Sequence, residues 1–278
     1  PGGYTGGALY YFDNTNAGMG YTVQSDILTS PLNDWRLEST IYGVNSDDRF
    51  GWDYTMFSPD GTTLVAAAWT SPYIRIFKYD KYNKTSTPFT TTGIVDHSYH
   101  SAAFSTDGNI LALGKNDSSV NGTNSGNVQI YQYSNITSTW TQLGLDIQGE
   151  AAGDKCGAFI DLALDGHTVS IGSPGNASGR GHVRVFRYIN NTWTQLGTNI
   201  NGQLNNAGQA GEDCEISGDG NTVLVGAWHN TGSVRVFRYI NNTWTQIGST
   251  LVGDPSAAYG SKPYYGKACD ISDDGNII

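Results

Sequence analysis

Short apolar runs alternate along this chain with turns rich in Gly, Asn and Asp. The runs TTLVAAA (62–68), NILALG (109–114), HTVSIG (167–172) and NTVLVG (221–226) each follow an Asp-Gly pair. Asp-Gly between apolar runs is hairpin chemistry, because both residues accept the backbone of a tight turn. The pairs are Asp60-Gly61, Asp107-Gly108, Asp165-Gly166, Asp219-Gly220 and Asp274-Gly275, spaced 47, 58, 54 and 55 residues apart. Each pair sits between a first and a second strand. A third strand follows at a nearly fixed offset: YIRIFKY (73–79), NVQIYQY (127–133), HVRVFRY (182–188) and SVRVFRY (233–239). A fourth reads TWTQLG (139–144 and 192–197) or TWTQIG (243–248), and Asn190-Asn191 and Asn241-Asn242 turn the chain into it. No stretch carries a convincing helical period.

A unit of four antiparallel strands cannot cover both of its faces alone. In HVRVFRY both alternating sets are bulky, Val183 and Val185 on one side and Phe186 and Tyr188 on the other. Both faces of the sheet therefore need cover. Blades packed around an axis supply it, with a linear solenoid as the rival arrangement. The pattern predicts an all-β fold, one β-propeller of four-stranded antiparallel blades spanning 1–278. Full blades fall at 45–95, 96–148, 149–202 and 203–254. Residues 1–44 read as third and fourth strands, and 255–278 as first and second strands of one blade shared between the termini. That gives about five blades, or six or seven if the chain is a fragment of a longer protein.

Composition narrows the function. Charged residues make up 14% of the chain, aromatics 12%, and the net charge is −10. Such an acidic balance excludes nucleic acid, which needs clustered Lys and Arg. It disfavours anionic membrane surfaces as well, and no apolar run is long enough to insert. Three cysteines, Cys156, Cys214 and Cys269, form neither a disulfide framework nor a zinc pattern. Cys214 and Cys269 recur at one position in successive repeats and read as small buried residues, a cross-blade disulfide being the alternative.

The segment FSPDG-TTLVAAA…YIRIFKYD (57–80) resembles a WD-type blade. GEAAGDKCGAFIDLALDGHTVSIGSPGNASGRGHVRVFRYINNTWTQLG (149–197) is more similar to a repeat of secreted and surface proteins. That repeat runs roughly G-D-x-x-G…S-x-D-G-N-T-V…V-R-V-Y-x-Y…W-T-Q-x-G and is distantly like FG-GAP blades of integrin-type propellers. The resemblance covers Gly149 to Ile278 well, residues 45–148 more loosely and residues 1–44 weakly. It implies an extracellular or cell-surface propeller and no particular activity. FG-GAP blades often bind calcium, but the D-x-D-x-D-G loop is absent here, so neither a cofactor nor metal ligands are expected.

Candidate residues fall into three sets. Asn-x-Ser/Thr sequons occur at Asn83, Asn116, Asn121, Asn135, Asn176, Asn190 and Asn241. Those at Asn135, Asn190 and Asn241 share one rim hairpin, where a glycan finds room in a eukaryotic host and where a bacterium would have plain turn residues. The Trp of each TWTQ strand (Trp140, Trp193, Trp244) either covers a blade edge or stacks on a sugar. Asp53, Asp161, Glu215 and Asp270 fall near first strands and are expected to line a central channel. His97 and His100 have ligand-like spacing without acidic or Cys partners, and no catalytic residues are assigned. The leading expectation is a structural or adhesive module in a cell-surface, filament or virion assembly. It would not be an enzyme, and its partners would be copies of itself, neighbouring surface proteins or glycans. A carbohydrate-binding lectin-like propeller is the first alternative. A polysaccharide hydrolase or lyase working in the channel through Asp161 or Glu215 is the second.

Overall fold

The computed structural model describes residues 9–11, 20–24, 39–42, 50–51, 54–68, 73–95, 98–203, 208–229, 232–253 and 265–278. Asp53 and His97 lie outside these residues. The first strands, β1 (Leu9–Tyr11), β2 (Gly20–Gln24) and β3 (Ser39–Tyr42), pair as an antiparallel sheet. Four larger sheets follow. β4 (Thr55–Phe57), β5 (Thr63–Ala67), β6 (Ile74–Asp80) and β7 (Thr85–Phe89) form one. β8 (Ser101–Phe104), β9 (Ile110–Lys115), β10 (Asn127–Ser134) and β11 (Thr139–Gln142) form the next, with β12 (Ile147–Gln148) added to β10. β13 (Phe159–Leu162), β14 (Thr168–Ser173), β15 (His182–Ile189) and β16 (Thr192–Gln195) repeat the pattern, with β17 (Ile200–Asn201) on β15. β18 (Asp213–Ile216), β19 (Thr222–Ala227), β20 (Ser233–Ile240) and β21 (Thr243–Val252) complete it. The fold is all-β and propeller-like, and each large sheet is an antiparallel meander in sequence order.

The cores lie between sheets, as two-sided strands require. Ala112, Val128 and Ile130 of one sheet pack in a single cluster with Ile160, Val169 and Ile171 of the next. Val183 and Val185 do the same with Cys214, Val223 and Val225. Val65 and Ile76 pack with Leu111, Leu113 and Trp140. Each such side chain, when fully buried, contributes about 1.5–3 kcal/mol.

Three repeated devices lock neighbouring sheets. The turns that join first to second strands are linked by backbone hydrogen bonds. The Asp60 N–H donates to Thr106 O, Thr106 to Leu164 O, Leu164 to Gly218 O and Gly218 to Asp273 O, at 2.8–3.1 Å. Each TWTQ indole donates to the sheet before it: Trp140 Nε1 to Thr90 O at 2.9 Å, Trp193 to Leu143 O at 2.7 Å, Trp244 to Leu196 O at 2.8 Å. Finally, the Cys156 N–H donates to Ser125 O at 3.0 Å and the Ala210 N–H to Arg180 O at 3.1 Å. The Asn pairs turn as their chemistry demands, with φ of 48° and 64° at Asn190 and Asn191 and of 48° and 63° at Asn241 and Asn242.

Candidate active site at the ring centre

The Asp-Gly turns set the register of the innermost strands. Two residues before the position that opens each turn stand Met56, Ala103, Asp161, Glu215 and Asp270. The first strands β4, β8, β13 and β18 are spatial neighbours in that order. Three consecutive repeats therefore bring a carboxylate to the same level, while the two before them bring apolar side chains. In this register the first large sheet contributes Met56, so Asp53 does not share the position of the other three acids.

Asp161 and Glu215 meet directly. Asp161 accepts the N–H of Leu162 on Oδ1 and that of Ile216 on Oδ2, both at 2.8 Å, and so ties its own strand to the next. Glu215, one residue before the Ile216 N–H that Asp161 accepts, is its carboxyl neighbour on β18. Both remain half-buried, in part open to solvent. Burial pushes the Asp161 carboxyl up to about 6, against the pull of the Ile216 N–H. Burial pushes Glu215 further, to about 11, and the neighbouring Asp161 charge adds to it. Both shifts favour the protonated carboxyl, most strongly at Glu215, while the two N–H groups on Asp161 favour its anion. Two carboxyls pushed apart in this way supply an acid and a base side by side. Asp213 accepts the Cys269 N–H at 2.6 Å from the C-terminal segment, and burial raises its carboxyl too. Asp270 is exposed and accepts the N–H of Ile271 at 2.8 Å. Among the described residues no three His, Cys, Asp or Glu side chains converge as a metal ion would need.

The other candidate residues lie elsewhere. Trp140, Trp193 and Trp244 are buried between sheets beside Tyr133, Tyr188 and Tyr239. They have the edge-packing geometry and offer no open face for a sugar. Asn135, Asn190 and Asn241 are exposed at their hairpins. Asn83, Asn121 and Asn176 have their amide nitrogens engaged by Asp80, the Gly149 carbonyl and Asp154, and Asn116 is half-buried. His100 stands 3.9 Å from Asp117. The three cysteines are free thiols. An open cleft of about 380 Å³ between Tyr133, Gln142 and Leu143 lies on outer strands, away from the carboxylates.

Sequence reasoning missed a buried polar cluster between the second and third large sheets. His182 faces Glu150 at 3.8 Å, and Arg184 donates to the Gln148 carbonyl at 2.7 Å and to Cys156 Sγ at 3.3 Å. Aligning repeats would have exposed it, since Ala227, Ser233 and Ala210 stand where this sheet has Ser173, His182 and Cys156. Asp213 was missed too, because it recurs in no other repeat.

No protein-family model matches the chain, and no curated protein does. Solved structures do. A protein described as a "putative 6-phosphogluconolactonase", from Bacteroides uniformis, aligns over 94% of this chain and 70% of its own, with TM-score 0.59 and 16% identity. The periplasmic gluconolactonase of Pseudomonas aeruginosa aligns over 91% and 69%, with TM-score 0.58 and 15% identity. A second protein so described, from Bacteroides fragilis, aligns over 88% and 70%, with TM-score 0.55 and 15% identity. At such identity the likeness is one of fold alone, an all-β propeller-like architecture. No family match supports the specific secreted repeat to which the sequence is similar. The structural or adhesive, non-enzymatic reading is overturned as well, because the propellers that share this architecture over most of the chain are named for hydrolytic activities.

Proposed function

We propose that this protein is a hydrolase that opens sugar lactones at the ring centre, with Asp161 as base and Glu215 as acid. The observation that carries this reading is the half-buried pair of carboxyls on neighbouring first strands, with Asp161 held by the N–H groups of Leu162 and Ile216. The names of the solved propellers it resembles give the substrate class.

Hydrolysis of a lactone needs a proton taken from water and a proton given to the departing ring oxygen. Asp161 takes the first as the water oxygen bonds to the acyl carbon. Glu215 gives the second as the ring C–O bond breaks. Asp161 is then neutral and Glu215 charged, and transfer between the two neighbours returns the proton. No other group is needed to reset the pair. An exported setting fits the repeat resemblance and the periplasmic neighbour. No helix among the described residues is long and apolar enough to cross a membrane. Glycans at Asn135, Asn190 and Asn241 would sit on rim hairpins, clear of the carboxylates. Closure of the ring by a blade shared between the chain ends belongs to the same proposal.

The test is lactone turnover by the purified chain. Glu215→Gln and Asp161→Asn are each expected to lower kcat at least a hundredfold, within the usual worth of a positioned acid or base. Activity should rise as pH passes about 6, where Asp161 ionises, and hold until Glu215 loses its proton near 11. Turnover that survives both substitutions, with the fold intact by circular dichroism, would remove the pair from the chemistry.

A further inference from the structure

We infer that the cleft on the outer strands of the second large sheet is a binding subsite for a short, uncharged saccharide, separate from the carboxylate pair. Its volume of about 380 Å³ falls within the ~300–1,000 Å³ usual for small-ligand sites. β10 supplies Gln132, Tyr133 and Ser134, and β11 with the residue after it supplies Thr141, Gln142 and Leu143. The repeat register explains why space opens here. At the position of Gln132 the other three large sheets carry Lys78, Arg187 and Arg238, each directly opposite a threonine: Thr63, Thr168 and Thr222. Each cation donates to its threonine hydroxyl, at 2.6, 3.0 and 3.3 Å. Arg187 and Arg238 run on to the Gly220 and Gly275 carbonyls of the next turn. In the second large sheet the opposed pair is Gln132 and Ile110. Isoleucine gives no hydroxyl, and the amide is shorter than a guanidinium arm. Gln132 is exposed where the three cations are half-buried.

The lining chemistry gives the ligand class. Strand residues two apart, and those directly opposite, share a face. Gln132, Ser134, Thr141 and Leu143 therefore stand together, with Gln132 opposite Thr141. Tyr133 and Gln142 turn to the other face, where Tyr133 packs on Phe89 and Trp140 and Gln142 donates to Asp146 at 2.6 Å. The open face presents one amide, two hydroxyls and a half-buried leucine. Amide and hydroxyl groups both give and accept hydrogen bonds, as sugar hydroxyls do. The leucine suits the C–H side of a sugar ring, in the usual mix of apolar wall and few polar groups. A charged ligand would find no counter-ion among the six lining residues.

The experiment titrates cellobiose and maltose into the purified chain and reads binding by NMR. The chain is made without glycans, because the Asn135 sequon adjoins Ser134. Saturable, millimolar binding of at least one disaccharide is expected. Gln132→Arg gives this sheet the side chain its neighbours carry and should weaken binding at least tenfold. Ser134→Ala removes one hydroxyl from the same face and should weaken it at least threefold. Lactone turnover belongs to the ring centre and should be unchanged in both variants. No saturable binding of either disaccharide overturns the inference. So does binding equal to the parent's in Gln132→Arg or, should that variant not fold, in Ser134→Ala. These results leave the hydrolase reading standing. Absence of lactone turnover in the parent chain overturns that reading instead, and leaves a saccharide subsite that passes its own titration intact.

Discussion

Single side chains decide how firmly each turn is held. In the Ser-x-Asp-Gly turns the serine hydroxyl both gives and receives. Ser105 Oγ donates to Asp107 at 2.7 Å and accepts the Ile110 N–H at 3.0 Å. Ser217 repeats this with Asp219 and Thr222, at 2.6 and 2.9 Å. The third large sheet has Ala163 there and lacks both bonds. Ser105→Ala is therefore expected to lower stability by about 1–2 kcal/mol in urea titration, since a buried N–H loses its acceptor. Ala163→Ser should cost nothing. The Trp anchors obey the same logic. Trp193→Phe keeps the ring but orphans the Leu143 carbonyl, and is expected to cost about 1–3 kcal/mol. These roles were half legible. The recurring Asp-Gly and Trp were plain in the sequence, but the atoms they bind belong to neighbouring repeats. Only packing names those atoms.

Between elements, approach distance is what matters. Gly114, Gly172 and Gly226 occupy one position of the second strand in three sheets. A methyl group at Gly172 would run into the carbonyl oxygen of Gly211 on the next innermost strand, and at Gly226 into that of Gly266. The obstacle is backbone, which cannot swing aside. Gly172→Ala should therefore destabilise by several kcal/mol or prevent folding, measured by urea midpoint and by soluble yield. Gly179→Ala meets open space at its Cβ. It carries only the strain of a positive φ, 88°, and should cost about 1 kcal/mol. The order of strands in each sheet could be read from alternation and turns. Additional short pairings such as β12 on β10 and β17 on β15 could not, for two-residue strands carry no period.

For the molecule as a whole, acids of two kinds set the pH dependence. Burial works against ionisation of Asp60, Asp107 and Asp219, but hydroxyl and amide donors outweigh it and hold them below the usual range. Their stabilisation is present above about pH 4 and is lost as pH falls further. Asp161, Asp213 and Glu215 shift the other way. The folded state keeps their protons longer than the unfolded chain does, so stability declines as pH rises from about 4 toward the raised values of about 6 and 11. Greatest stability is expected near pH 4–5. Glu215→Gln should flatten the decline between pH 5 and 9 in a series of urea midpoints. Parallel curves for the two proteins would show that Glu215 does not hold its proton. A net charge of −10 adds self-repulsion over the same range, but equally in both.

Periodicity alone determined the four-stranded repeat of the large sheets and the need for neighbours, because alternation, turn chemistry and repeat length are local properties. It read two strands at 1–44, where the structure has three, and a first strand around Asp270, where the structure has none. It placed Asp161 and Glu215 on first strands but could not show that they are neighbours, since residues more than fifty positions apart touch only once two sheets pack side by side. Nor could it rank that pair above the many acids in turns. Desolvation by neighbouring strands separates the two kinds of carboxyl, and desolvation exists only in the assembled ring.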